Sequence, residues 1–328
     1  MFFKSLHNNT ISAIVLGPIL VLALWVRYFF IDITHITSLD NPSMPVWDIL
    51  IDPYLGYSRF TAALGSFVLV LLTGLSINRM VVRYGMLRQQ SMMVLILYGL
   101  LTSAFLSVQK LSPVWFFVFF FVIGLERIFS GVQKRNATAN CFDAAFLLGI
   151  GSLFYAKGVF FFPLFLIAMG VLRLANFRSV VATVLGLLFP FALSFAWYFY
   201  LNKGFLFFEA LSENLVANPG QYNHDVFSRI YMGLIIFLTA LSILATVRQM
   251  GTQKIIVRRY HRVFIWLILI STAAVLTPFF SMEMLPLAAI GAAVTLTNWL
   301  ESVSRKLVKE VVFLLLVIIT LAGQLLLF

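Results

Sequence analysis

The chain alternates long apolar runs with short polar or basic interruptions. A helix that crosses a bilayer needs about 20 predominantly apolar residues, within a range of roughly 17–25. By that measure the pattern predicts eleven spans, at about 10–31, 59–79, 91–108, 113–130, 142–156, 158–173, 179–201, 228–247, 263–280, 284–300 and 310–328. Only Lys157-Gly158 divides the pair 142–156 and 158–173. That pair forms either two short tilted helices or one re-entrant feature buried in protein. The predicted fold is all-α: a polytopic transmembrane helix bundle forming a single integral membrane domain over 1–328. No internal repeat, low-complexity tract or soluble domain interrupts it.

Composition strengthens that reading. Hydrophobic residues make up 62% of the 328 and charged ones 11%, where a soluble domain would carry about a quarter. Mean hydropathy is +1.00. No aqueous fold has interior enough to hide so much apolar surface, so the first partner is the lipid bilayer. The 35 phenylalanines fit, since Phe is favourable at the bilayer centre. The single cysteine, Cys141, excludes an internal disulfide and a Cys-rich metal site. The N-terminal apolar run is too long for a signal-peptide core and is expected to remain as a span.

The net charge of +11 would raise nucleic acid as a partner in a soluble protein, but here the basic residues sit in short clusters between apolar runs. Seventeen of the 23 fall on one side of the predicted bundle, including Arg79, Arg83, Arg127, Arg173, Arg178, Arg248 and Lys306. The positive-inside rule makes that side cytoplasmic, places Phe328 outside, and suits a bacterial inner membrane. No nucleic-acid partner is expected. The acidic residues lean the other way. Asp32, Asp40, Asp48, Asp52, Glu209, Glu213, Asp225 and Glu283 fall outside, which directs the search for chemistry to the outer face.

Two outer loops are long, 32–58 and 202–227. In the first, Asp48 follows Pro45-Val46-Trp47 and precedes Ile49-Leu50-Ile51, a mix that suits a short amphipathic helix lying in the interface. A general base needs a carboxylate whose pKa rises in a partly desolvated site, and Asp48 is the best placed for that role. Asp40, in the turn Asp40-Asn41-Pro42-Ser43, is second, although Asp in such a turn is often only a cap. Arg27 lies near the end of the first span. It either snorkels to the interface or faces the interior and pairs with a carboxylate or a lipid-linked phosphate, which its planar fork suits. Lys157 is either a topological marker or a phosphate contact. His35 and His224, both outside, are ordinary headgroup-level histidines or, with carboxylates, substrate or divalent-cation contacts. No other cofactor is expected. Glu126 is expected to meet Arg173 or Arg178 rather than its neighbour Arg127, and Arg248 to Arg262 to form a solvated loop touching anionic lipid. No nucleotide-binding loop, serine-hydrolase elbow or zinc-protease helix occurs.

Two stretches carry a resemblance. One runs from Phe142 through the glycines at 149 and 151 to Lys157-Gly158, then to Trp197-Tyr198 before Lys203-Gly204. The other runs from Arg27 to Asp48. Their layout resembles the GT-C superfamily of polyprenyl-phosphate-sugar-dependent glycosyltransferases. There a Gly-rich span ends in a Lys-Gly step, and a first span closing on arginine precedes an outer loop with the catalytic acid. The chain also resembles a family of integral membrane proteins from Bacteroidetes whose activity is uncharacterised, through Pro42 to Pro45, the Gly-rich span and Ser179 to Leu201.

The superfamily likeness implies a membrane glycosyltransferase using a polyprenyl-phosphate-linked sugar at the outer face. Arg27 and Lys157 would neutralise the phosphate and Asp48 or Asp40 would activate the acceptor, all sharing one lipid-accessible chamber. The competing readings are a non-catalytic membrane subunit of an envelope secretion or polysaccharide assembly, working beside other envelope membrane proteins, and a lipid or solute transporter.

Overall fold

A computed structural model describes residues 11–30, 44–56, 58–87, 91–134, 136–216, 226–277, 282–303 and 305–326. Among them there is no strand. The helices are α1 (Ile11–Phe30), α2 (Pro45–Leu50), α3 (Arg59–Arg83), α4 (Met93–Thr102), α5 (Leu106–Gln109), α6 (Pro113–Gly131), α7 (Thr138–Phe154), α8 (Phe162–Leu172), α9 (Phe177–Tyr200), α10 (Gly204–Val216), α11 (Val226–Gln249), α12 (Ile255–Leu276), α13 (Leu285–Ser302) and α14 (Lys306–Leu326).

Seven of these, α3, α6, α9, α11, α12, α13 and α14, are long and apolar enough to cross a membrane. Shorter apolar helices occupy Leu16–Phe30, Met93–Thr102, Thr138–Phe154 and Ala156–Leu172. The chain is a helical, multi-pass membrane protein.

α4 and α13 form the centre. Every residue of α4 is buried, as is almost all of α13, where Gly291, Ala292 and Ala293 let neighbours approach. α3 and α1 pack on α4, and α11 and α12 on α13. A second group, α6, α7 and α9, stands beside this core and joins it chiefly through α3.

Lipid gives helices no hydrophobic reason to associate, so close backbone approach and polar contacts must hold them. Both are visible. Gly149 of α7 and Gly186 of α9 lie against each other's helices. A Cβ at Gly149 would stand 2.7 Å from the Leu187 carbonyl oxygen, and one at Gly186 would run into the carbonyl of Phe142. Ser242 donates to Thr295 (2.9 Å) and Asn298 to Thr246 (3.1 Å), tying α11 to α13. Tyr231 donates to the Leu101 carbonyl at 3.0 Å, tying α11 to the end of α4.

The segment 142–173 holds two short helices, α7 and α8, joined by a 3₁₀ turn at Ala156–Phe161, as one of the two expected arrangements has it. α8 packs mainly on α12. Other local expectations change. Arg258, Arg259 and Arg262 are not in a loop. They ride the first turns of α12, which starts at Ile255, because Val257, Tyr260 and His261 are buried and draw the helix out past the apolar span. The loop of 202–227 is helical over Gly204–Val216, with Phe205 and Phe208 exposed beside Glu209 and Glu213, the pattern of a helix lying in an interface. Glu126 pairs with Arg83 at 2.9 Å rather than with Arg173 or Arg178. Both partners are partly solvated, so the pair contributes little, under about 1 kcal/mol.

Gly186→Val should lower stability by about 1–3 kcal/mol, because the added atoms meet backbone rather than a movable side chain. Thermal unfolding in detergent reads this directly. Gly170→Val, whose Cβ meets nothing within 4 Å, is the matched control and should leave the transition in place.

Candidate functional site

The site begins with the first turn of α6, Pro113-Val114-Trp115-Phe116-Phe117. Pro113 stands at the start of the helix, where its missing N–H costs nothing. The three aromatic residues project at about 100° intervals, as 3.6 residues per turn requires. Each packs on a different chain segment. Trp115 meets Trp25 of α1 edge-on, with ring centroids 6.2 Å apart. Phe116 meets Trp47 of α2 at 5.8 Å and stacks on Phe154 at 5.1 Å. Phe117 meets Tyr155, at the end of α7, at 6.1 Å. Trp25 lies two residues before Arg27, Trp47 one before Asp48, and Tyr155 two before Lys157. Three separate stretches of chain are thus seated round one helix end.

The Lys157 stretch is the most deeply enclosed. Tyr155 leaves the helix in an extended conformation, and the Gly158 N–H donates to the Tyr155 carbonyl at 2.9 Å. A Cβ at Gly158 would clash with the Phe117 ring, so only glycine lets the turn sit so close to α6. The turn holds Lys157 at 3% exposure. Glu283, on a 3₁₀ turn just ahead of α13, is 9% exposed and acts electrostatically on both Lys157 and the Tyr155 phenol. Its carboxylate also stands at the positive end of α13. The sequence placed Lys157 at an interface and did not single out Glu283 or Tyr155. Glu283 is far from Lys157 in the chain, which left no local signal beyond its being acidic and outer.

Asp48 sits on the predicted short helix, but it is exposed rather than in a desolvated pocket. Trp47 takes the inward side of α2 and turns the carboxylate outward, within electrostatic reach of the Tyr198 phenol of α9. Arg27 donates to the Gln324 carbonyl of α14. It stands at the rim of a polar knot that sequence reasoning missed. The carboxamides of Gln109 and Gln324 both donate to the carbonyls of Leu24 (3.1 and 2.8 Å) and Ser103 (3.2 and 2.8 Å), joining α1, α4, α5 and α14.

Arg27, Asp48 and Lys157 therefore share one end of the molecule while each has its own immediate surroundings. The first turn of α6 lies between the three stretches that carry them. Asp40, His35 and His224 lie outside the described residues, as does Asp32. Among the described residues no three of His, Cys, Asp and Glu gather as metal ligands would.

The chain matches no protein-family model, no curated protein and no solved structure. Its site is read from its own residues.

His261 is fully buried on α12, with both ring nitrogens lacking a well-formed hydrogen bond. It shares this buried stretch of α12 with Tyr260 and Phe264.

Three outcomes follow. Glu283→Gln leaves the Lys157 charge buried without its counter-charge and should cost about 3 kcal/mol of stability. Lys157→Met combined with Glu283→Gln should cost clearly less than the two single changes added, as denaturant unfolding in micelles would show. Gln324→Leu should cost about 1 kcal/mol, the usual weight of an interhelical hydrogen bond in a membrane protein.

Proposed function

We propose that the chain is a GT-C-like membrane glycosyltransferase acting on a polyprenyl-phosphate-linked sugar at the outer face of a bacterial inner membrane. In this reading the chain makes eleven passes, with the basic connections cytoplasmic and the α6 N-terminal end outside. One observation carries the proposal: the consecutive residues Trp115, Phe116 and Phe117 seat the segments bearing Arg27, Asp48 and Lys157 round one helix N-terminus.

A phosphate arriving there meets the partial positive charge of α6, with Arg27 and Lys157 flanking it. Lys157 is held by Glu283 and the 3₁₀ turn, so its charge is positioned before substrate arrives. The exposed Asp48 stands on the solvent side, where an acceptor hydroxyl would approach, and Asp40 serves in the same loop. The polyprenyl chain runs down between the phenylalanine-rich helices. α10 lies beside the Lys157 turn and bounds the site from the second outer loop.

The buried Lys157–Glu283 arrangement also favours a second reading, transport of a lipid or solute, since enclosed ionisable groups commonly mark substrate paths.

Purified protein in phosphatidylcholine vesicles, titrated with undecaprenyl phosphate, separates these. Lys157→Gln should weaken binding by about ten-fold or more, the worth of a charge-assisted contact. The double change Asp40→Asn with Asp48→Asn should bind normally yet abolish formation of the glycosylated envelope product in complemented deletion cells. Full product from the double variant overturns the enzyme, and binding unaffected by Lys157→Gln overturns the phosphate site. Facilitated movement of the lipid across vesicles by the double variant would instead establish transport.

A further inference from the structure

Away from that end, α1, α4 and α14 enclose a groove of about 430 Å³. Leu20 and Leu24 line it from α1, Ile96 and Leu100 from α4, and Phe313 and Val317 from α14. Among the described residues, Glu310 is the one charged side chain in its wall. On α14 the groove extends from Glu310 to Leu321, about 16 Å at 1.5 Å per residue. That is half the roughly 30 Å hydrocarbon core, the depth of one leaflet. At its far end it stops below the Leu24 carbonyl, where the Gln109 and Gln324 amides close the polar knot.

The near end is basic. Lys306 precedes Glu310 by four residues, so it stands one turn further along the same face of α14. Arg305 is beside it. Both are exposed, and neither is in an ion pair among the described residues. Glu310 lies one turn inside them, at the groove's edge.

We propose that this groove is a binding site for one anionic phospholipid. An acyl chain fills the space between α1 and α14, and the headgroup phosphate sits on Arg305 and Lys306. The occupant is a hydrocarbon chain because the walls beyond Glu310 are apolar and α14 is long and apolar enough to cross a membrane. The anionic headgroup follows from the two exposed cations at its mouth. The site is independent of the α6 end, and its occupancy fastens α14, whose outward face is otherwise lipid-exposed, to α1 and α4.

The test uses the delipidated full chain in mild detergent with added phosphatidylglycerol, phosphatidylethanolamine or phosphatidylcholine of equal chain length. Retained lipid is counted by native mass spectrometry. The wild type should retain a single phosphatidylglycerol in preference to the other two. Arg305→Gln and Lys306→Gln should each reduce that preference by about five-fold, the weight of one cation at an anionic surface. Val317→Trp fills the groove and should remove the single-lipid species for every headgroup. Leu185→Trp, on the exposed flank of α9, should not. Equal retention of the three lipids, preference for phosphatidylethanolamine, or undiminished retention by Val317→Trp would each overturn the proposal. If Val317→Trp fails to fold, the two exposed cation variants still decide it.

Discussion

Every helix here must find its neighbours without help from water. In a soluble protein the same apolar surfaces would collapse together, but hydrocarbon solvates them equally well, and association falls to close contact and polar pairing. That constraint explains why the enclosed helices are so different from the outer ones. α13 presents small residues and places Thr295 and Asn298 against Ser242 and Thr246. α4 is short, wholly buried, and ends where Ser103 offers its carbonyl to two glutamines. α9 and α14, by contrast, carry leucines and other large apolar residues outward, such as Leu185, Leu188, Leu314 and Ile318, where they cost nothing in lipid.

The same constraint explains what could be read from the sequence. Each apolar stretch contains a helix, because a helix satisfies its backbone groups within one segment in hydrocarbon. Helix ends were less legible. α12 reaches back to Ile255 through a run of arginines, since long basic side chains extend to the interface while their stems stay with the helix. The helix at Gly204–Val216 was hidden within a loop because its apolar length is too short to read as a span. Its Phe205, Phe208, Glu209 and Glu213 pattern is that of an interface, not an interior.

The candidate site was legible one residue at a time but not as a set. Asp48, Arg27 and Lys157 stand out because charges near apolar runs are costly and few. What gathers them is Trp115-Phe116-Phe117, three aromatics in a sequence with 35 phenylalanines, where nothing marks these three as organising. Glu283 was equally inconspicuous. Its importance comes from burial within electrostatic reach of Lys157, between turns far apart in the chain. The polar knot of Gln109 and Gln324 was missed for a related reason. An uncharged amide in an apolar stretch raises no alarm until its hydrogen bonds are seen.

The placement of polar groups also bears on which parts of the molecule can change shape. Lys157 and Glu283 are enclosed, and separating them would expose a charge to an apolar wall. The 3₁₀ turn that carries Lys157 is therefore held from two sides, by its counter-charge and by the absence of space at Gly158. Arg27 donates to a carbonyl of α14. Asp48 rides a six-residue helix, α2, seated by Trp47 on Phe116 and packed against α7. Movement at this end is consequently most costly at Lys157. In the proposed reading, a substrate phosphate would therefore meet a cation already held in place.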